Sequence, residues 1–154
     1  MRTVWRIGTD TVTYTANNLD GKGAERTGGR WNPKGIPMVY CSETIALACL
    51  ETVVHLNNTL PLNHYLVKIE IPEAIWKSVN KHPPKPPAVG WDAIPPGKVS
   101  QDYGRDWVKT GITAIIRIPS VIVPEEWNVL INPAHPDAFK IKATKIRKWI
   151  YDPR

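Results

Sequence analysis

Nothing in this sequence runs apolar for the roughly 18 residues that a membrane-spanning helix needs. The opening residues, MRTVWRIGTDTV, turn polar after a few positions and lack the apolar run of a secretion signal. Both absences make a soluble cytoplasmic protein the expectation. Cysteine is scarce. Cys41 and Cys49 are the only two in 154 residues, too few for a secreted disulfide scaffold, so both are expected to be reduced core residues. His55, His64, His82 and His135 are scattered without paired metal-ligand spacing, so no metal site is expected. No Ser-His-Asp or Cys-His elbow motif occurs. The stretch GKGAERTGG has the wrong spacing for a phosphate loop or dinucleotide fingerprint, and no βαβ unit surrounds it.

Acidic residues are in deficit as well. Lys and Arg number 20 against 14 Asp and Glu, giving a formal net charge of +6 and a pI near 9.4. That balance suits nucleic-acid binding or a pocket for a polyanionic small molecule. The C-terminal Lys140, Lys142, Lys145, Arg147 and Lys148 are interleaved with Ile141, Ile146 and Trp149, the pattern of a solvated strand or hairpin face. With 42% apolar residues, the chain can build one core and is read as a single domain, 1–154.

Punctuation along the chain suggests the order of elements. TVWRIG at 3–8 is β-prone, and 15–37 reads as a long glycine- and proline-bearing loop that ends in GGRWNPKG. MVYC at 38–41 resumes as a strand. Ser42 then offers an N-cap for a helix over about 43–57, apolar on most faces and expected to pack on a sheet. HYLVKIEI at 64–71 partly alternates as a strand should, ending at Pro72. A connector with six prolines follows over 82–97, too short to divide two domains. A helix is expected over 100–110, capped by Ser100 and stopped by Gly111, and the remainder is β-rich. Helices and strands do not alternate regularly, so the class is α+β with a mixed or antiparallel sheet.

Glu51 is the most informative single residue. It sits mid-helix beside Leu47, Ala48 and His55, where a carboxylate is expensive unless paired or needed. A structural salt bridge or an edge position reaching solvent would account for it equally well. Arg30 lies in Gly-Gly-Arg-Trp-Asn, a run in which permissive backbone presents a guanidinium suited to phosphate or carboxylate. Trp31 could stack on a ligand or anchor the loop. Tyr40 ends a strand before the helix, and Ser120 follows Ile-Pro after an apolar strand. Each of these, taken alone, reads as core or turn.

Together they resemble the RES domain, the toxin half of RES–Xre toxin–antitoxin pairs, a family named for an arginine, a glutamate and a serine. The resemblance runs through WRI at 5–7, GGRWNPKGIPMVYCSET at 28–44, ALACLETVVHL at 46–56, IPSVIVPEEWNVLINPAHP at 118–136 and the closing FKI. Arg30, Glu51 and Ser120 match the naming residues, with Tyr40, His55 and Asn132 in the surrounding blocks. The resemblance implies an ADP-ribosyltransferase-like fold with a split sheet. It also implies NAD⁺ as substrate, with cleavage of the nicotinamide–ribose bond and growth arrest until a separately encoded helix-turn-helix antitoxin of Xre type covers the site.

In that setting Arg30, Tyr40, Glu51 and Ser120 are the expected catalytic set. Arg6, Trp31, Asn32, His55 and Asn132 are the expected substrate-binding residues. Glu51 would stabilise the charge that develops on the ribose, Arg30 would clamp the pyrophosphate, and Ser120 would hold the carboxamide or a ribose hydroxyl. Water, phosphate or a protein side chain could each accept the ADP-ribose. A basic RNA-binding or RNA-cleaving module is the alternative, since His55 and Glu51 could serve as acid and base. Seven tryptophans leave room for a partner interface or a homo-oligomer.

Overall fold

Strand β1 (Arg2–Thr9) organises the sheet, and the computed structural model describes residues 1–54, 61–82 and 84–152 around it. All eight of its residues pair with β3 (His64–Ile71), which in turn pairs with β6 (Lys142–Lys148). On its other side β1 meets β2 (Val39–Ser42) at one registered pair, Trp5↔Ser42. Beyond β2 lie β5 (Trp127–Ile131) and β4 (Ile115–Pro119), giving the order β4-β5-β2-β1-β3-β6 with every pairing antiparallel. The class is therefore α+β, as expected, and the mixed or antiparallel alternative resolves to antiparallel. Two three-stranded halves join at a narrow seam, which makes the sheet a split one.

The two faces of the sheet bury different residues because side chains alternate along each strand. Val4, Val39, Cys41, Val67, Ile69, Val129 and Ile131 form one core. Met38, Ile116, Ile118 and Leu130 form the other, together with Trp31 and the half-buried Tyr40, Trp91, Tyr103 and Trp107. The basic β6 is an outer strand with Lys142, Arg147 and Lys148 exposed. Charged side chains there discourage pairing with other chains, so the bland reading of the C-terminal lysines holds.

Helical boundaries depart from expectation in four places. A short helix, α1 (Lys22–Thr27), occupies part of the supposed loop. Helix α2 (Ile45–Val53) begins later than expected, because Thr44 rather than Ser42 caps it by accepting from the Leu47 amide at 3.0 Å. It is also less enclosed than its apolar sequence implied: Leu47 and Ala48 are buried, while Val53 and Val54 are exposed. Helix α3 (Glu73–Lys81) was not anticipated; Pro72 precedes it as N-cap. Helix α4 (Lys98–Thr110) starts from Gly97, with Ser100 buried inside its first turn, and ends as expected on left-handed Gly111. Of the cysteines, Cys41 is buried and Cys49 half-buried, both as free thiols. Among the described residues, no helix is long and apolar enough to cross a membrane.

One contact locks α4 to the GGRWN loop. A β-carbon at Gly104 would lie 1.6 Å from the Trp31 carbonyl oxygen. A mid-helix glycine costs about 0.5–1 kcal/mol against alanine in an open helix, so only this close approach explains its presence. Gly104→Ala is expected to destabilise the protein by about 1–3 kcal/mol, as overpacking does. For a chain of this size that lowers the melting temperature by about 2–4 °C per kcal/mol. A melt that matches wild type would show that the helix and loop separate freely.

Candidate active site

Helix α2 carries Glu51 across the face of the sheet that holds Ser42, Tyr40 and Asn128. Among the described residues, the Glu51 carboxylate is gripped through one oxygen. Its Oε1 accepts from the Ser120 hydroxyl at 2.7 Å and from the Asn128 amide at 2.7 Å. Among the described residues, Oε2 accepts no hydrogen bond. A helix-borne carboxylate is thus fixed in direction by two donors on one oxygen, which suits an interaction of the other with developing positive charge.

Ser120 sits where β4 turns towards β5, and it is fully buried. Its hydroxyl donates to Glu51 and accepts from the amides of Ile122 and Val123, each at 3.1 Å. A hydroxyl has one donor and two acceptor positions, and all three are filled. The expected contact to a carboxamide or ribose hydroxyl has no capacity left in this arrangement.

Arg30 is brought close to Glu51 by the loop between α1 and β2. Its Nη1 donates to the carbonyls of Trp91 at 3.0 Å and Ala93 at 2.9 Å, both in the proline-rich connector. Nε and Nη2 make no hydrogen bond among the described residues, so part of the fork is available to an anion. Burial draws the guanidinium below its ordinary value. The charge of Glu51 opposes this most, with further contributions from Asp92 and Tyr40. Arg30 and Glu51 therefore share one electrostatic neighbourhood without closing into an ion pair.

The remaining expected residues are placed differently. The Tyr40 hydroxyl accepts from the Trp31 amide at 3.0 Å and donates to Asn32 Oδ1. Burial pushes its phenol well above the ordinary value, with the Trp31 amide pulling the other way, so it stays neutral. Gly29 has no side chain because a β-carbon would lie 2.6 Å from that same hydroxyl. Asn32 is fully buried, and its amide donates to Ala24 at 2.8 Å and Ile36 at 3.0 Å. Trp31 is buried too, stacked on Trp91 at 5.7 Å between ring centroids. Tyr40, Trp31 and Asn32 thus hold the loop that presents Arg30.

Arg6 lies at the seam, where it donates to the Tyr40 carbonyl at 3.5 Å. Its Nε is buried without a hydrogen-bond partner among the described residues. Asn132 is turned inward, accepting from Ala134 at 3.0 Å and donating to Val108 at 3.3 Å. The expectation for His55 falls outside the described residues. Burial pushes the Cys41 thiol up to about 12, against the pull of Arg6, so it remains a protonated core group. No cluster of three metal-ligating side chains occurs among the described residues.

Sequence reasoning missed Asn128 and Ser42. Ser42 had been read as a helix cap; instead it is buried on β2 and donates to Asn128 Oδ1 at 2.7 Å. A cavity of about 450 Å³ is lined by Leu19, Pro37, Pro133 and Phe139 among others, and Glu51 is not part of its lining. It is apolar, and no titratable pair converges there, so the carboxylate cluster is the stronger candidate.

A family model described as the RES domain matches residues 3–153. The chain belongs to the RES domain family. Proteins similar to this RES chain include the Prs ADP-ribosylating toxin of Sphingobium sp. It is 58% identical over 97% of this chain and 94% of its own length. Toxin Res of Yersinia enterocolitica is 32% identical, covering 92% of each chain. Toxin Res of Pseudomonas putida is also 32% identical, covering 90% of each. Arg30, Glu51 and Ser120 are the residues expected to match the three that name the family. Two of them are in direct hydrogen-bond contact, and the third lies within electrostatic reach.

Proposed function

We propose that this RES protein is a toxin that consumes NAD⁺ by breaking the nicotinamide–ribose bond and transfers the ADP-ribose to a protein. One observation carries the reading: the Glu51 carboxylate is fixed through Oε1, has no hydrogen bond at Oε2 among the described residues, and lies in the field of Arg30. The names of the relatives add support, since all three are toxins and one is ADP-ribosylating.

In this reading nicotinamide departs as a neutral base with the electron pair of its bond to the ribose anomeric carbon. Positive charge spreads over that carbon and the ring oxygen. Glu51 Oε2 stabilises it at close range, where water is partly excluded and a carboxylate counts for more than in bulk solvent. Arg30 engages the diphosphate through Nε and Nη2. A nucleophilic side chain of the acceptor then bonds to the anomeric carbon and releases its proton to solvent. Water or phosphate in place of the acceptor would give hydrolysis or phosphorolysis by the same first step. Arg6, whose Nε has no hydrogen-bond partner among the described residues, adds positive potential from the seam in this reading. Neutralisation by a helix-turn-helix protein of Xre type belongs to the same reading, through cover of this site.

The test is product analysis. Purified protein incubated with NAD⁺ and Prs is expected to release nicotinamide and to add one ADP-ribose mass to Prs. Nicotinamide release without modified Prs would make water or phosphate the acceptor. NAD⁺ that stays intact while RNA is degraded would replace the reading with the nuclease one.

A further inference from the structure

We propose that Asn128 is the positioning residue that aims the Glu51 carboxylate, and that Ser42 sets the direction of its amide. The inference rests on the reading of Glu51 as the carboxylate that meets the ribose. Neither residue belongs to the family's named trio, and the argument for both comes from strand register and hydrogen-bond polarity.

Register places them. Asn128 is the direct cross-strand partner of Ser42 on one side and of Ile118 on the other. Directly opposed residues project to the same face of a sheet, so Ser42 and Asn128 stand side by side beneath α2. Ser42 is also the residue at which β2 meets β1, through Trp5. The amide is consequently anchored at the seam of the split sheet, where the backbone is held from both sides.

Polarity fixes the direction. A carboxamide has one accepting and one donating end. The Ser42 hydroxyl donates to Oδ1 at 2.7 Å, which turns Nδ2 towards Glu51, also at 2.7 Å. The chain from Ser42 through Asn128 to Glu51 therefore runs donor to acceptor throughout. Ser120 arrives at the same Oε1 from the β4–β5 turn, so two donors on two elements pin one oxygen. Pinning one oxygen twice leaves the other as the group that faces substrate. A single donor would let the carboxylate swing about its terminal torsion, which is broad for Glu. Arg30 on its loop lies within electrostatic reach of Glu51, and Asp92 and Tyr40 act on the same guanidinium.

Steady-state kinetics of the full-length protein with NAD⁺ and Prs tests this, over a range of pH. Asn128→Asp removes the donor and sets a second carboxylate against Glu51. It is expected to lower kcat at neutral pH by about 10²-fold, as a misplaced reacting group does. KM for NAD⁺ should stay within about twofold of wild type, because the groups expected to bind substrate are untouched. The acidic limb of its pH–rate profile should move to higher pH, since two adjacent carboxylates resist joint ionisation. Asn128→Ala should lower kcat without moving the limb, a split that loss of folded protein would not produce. Ser42→Ala, a smaller change, should reduce kcat several-fold at unchanged KM and serves if the Asn128 variants do not fold. Wild-type kcat in the folded variants, or a change confined to KM, would overturn the proposal. Glu51→Gln measured alongside separates the two ideas. If that variant is inactive while Asn128→Asp is normal, only the positioning role fails; if it is fully active, the underlying reading fails.

Discussion

Glu51→Gln is expected to slow nicotinamide release by about 10³-fold while leaving the melting temperature within a degree or two of wild type. The rate effect follows from the charge: an amide cannot stabilise an oxocarbenium-like centre as a carboxylate does, and losses of this kind cost about 10²–10³. Preserved stability follows from the bonding pattern. Ser120 and Asn128 both donate to Oε1, and the carbonyl oxygen of glutamine can accept both bonds. The amide nitrogen then occupies the position of Oε2, which makes no hydrogen bond among the described residues. Glu51→Ala is a harsher test because it orphans both donors. It is expected to destabilise by about 1–3 kcal/mol for the unsatisfied groups, besides abolishing turnover. Chromatographic nicotinamide release and thermal melts of the two variants measure both effects. A glutamine variant with wild-type turnover would remove Glu51 from the chemistry.

How far the site was legible in the sequence depended on the distance over which each signal acts. Glu51 drew notice from its own helix, since a carboxylate among Leu47, Ala48 and Leu50 is costly without a reason. The glycines before Arg30 marked a special backbone, and Gly29 is indeed where the Tyr40 hydroxyl passes. Asn128 gave no such sign. Its meaning depends on a cross-strand partner 86 residues away and on a helix 77 residues away, and no local pattern encodes that register. Ser42 was misread for a related reason: it stands near a helix start, where a serine ordinarily caps, yet Thr44 takes that role two residues later. The short α1 was hidden because Gly23 lies within it and Gly21 and Gly28 flank it. The α+β class, by contrast, was legible in the irregular order of helices and strands, although a mixed or antiparallel sheet stayed open until the strand register resolved it.

The same distance argument bears on Arg30, whose partners lie 61 and 63 residues away in the proline-rich connector. In the sequence that connector reads as a proline-rich stretch too short to divide two domains. Its Lys85 carbonyl accepts from the Tyr103 hydroxyl, its Trp91 ring stacks on Trp31, and its Trp91 and Ala93 carbonyls take both hydrogens of Arg30 Nη1. In the proposed reading Arg30 has two tasks, holding the connector with one end of its fork and offering the other end to substrate. Arg30→Lys retains the charge but cannot divide a planar fork between two such targets. It is expected to lower kcat/KM for NAD⁺ by about 10²-fold, mostly through KM, because a diphosphate clamp is lost while Glu51 remains in place. Limited proteolysis should cut the 84–97 segment faster in this variant than in wild type, since two carbonyl contacts that fasten it are gone. Faster cleavage with normal kcat/KM would confine Arg30 to the structural task. A fall in kcat/KM with unchanged cleavage would confine it to substrate. Loss of both is the outcome that one guanidinium shared between loop and ligand requires.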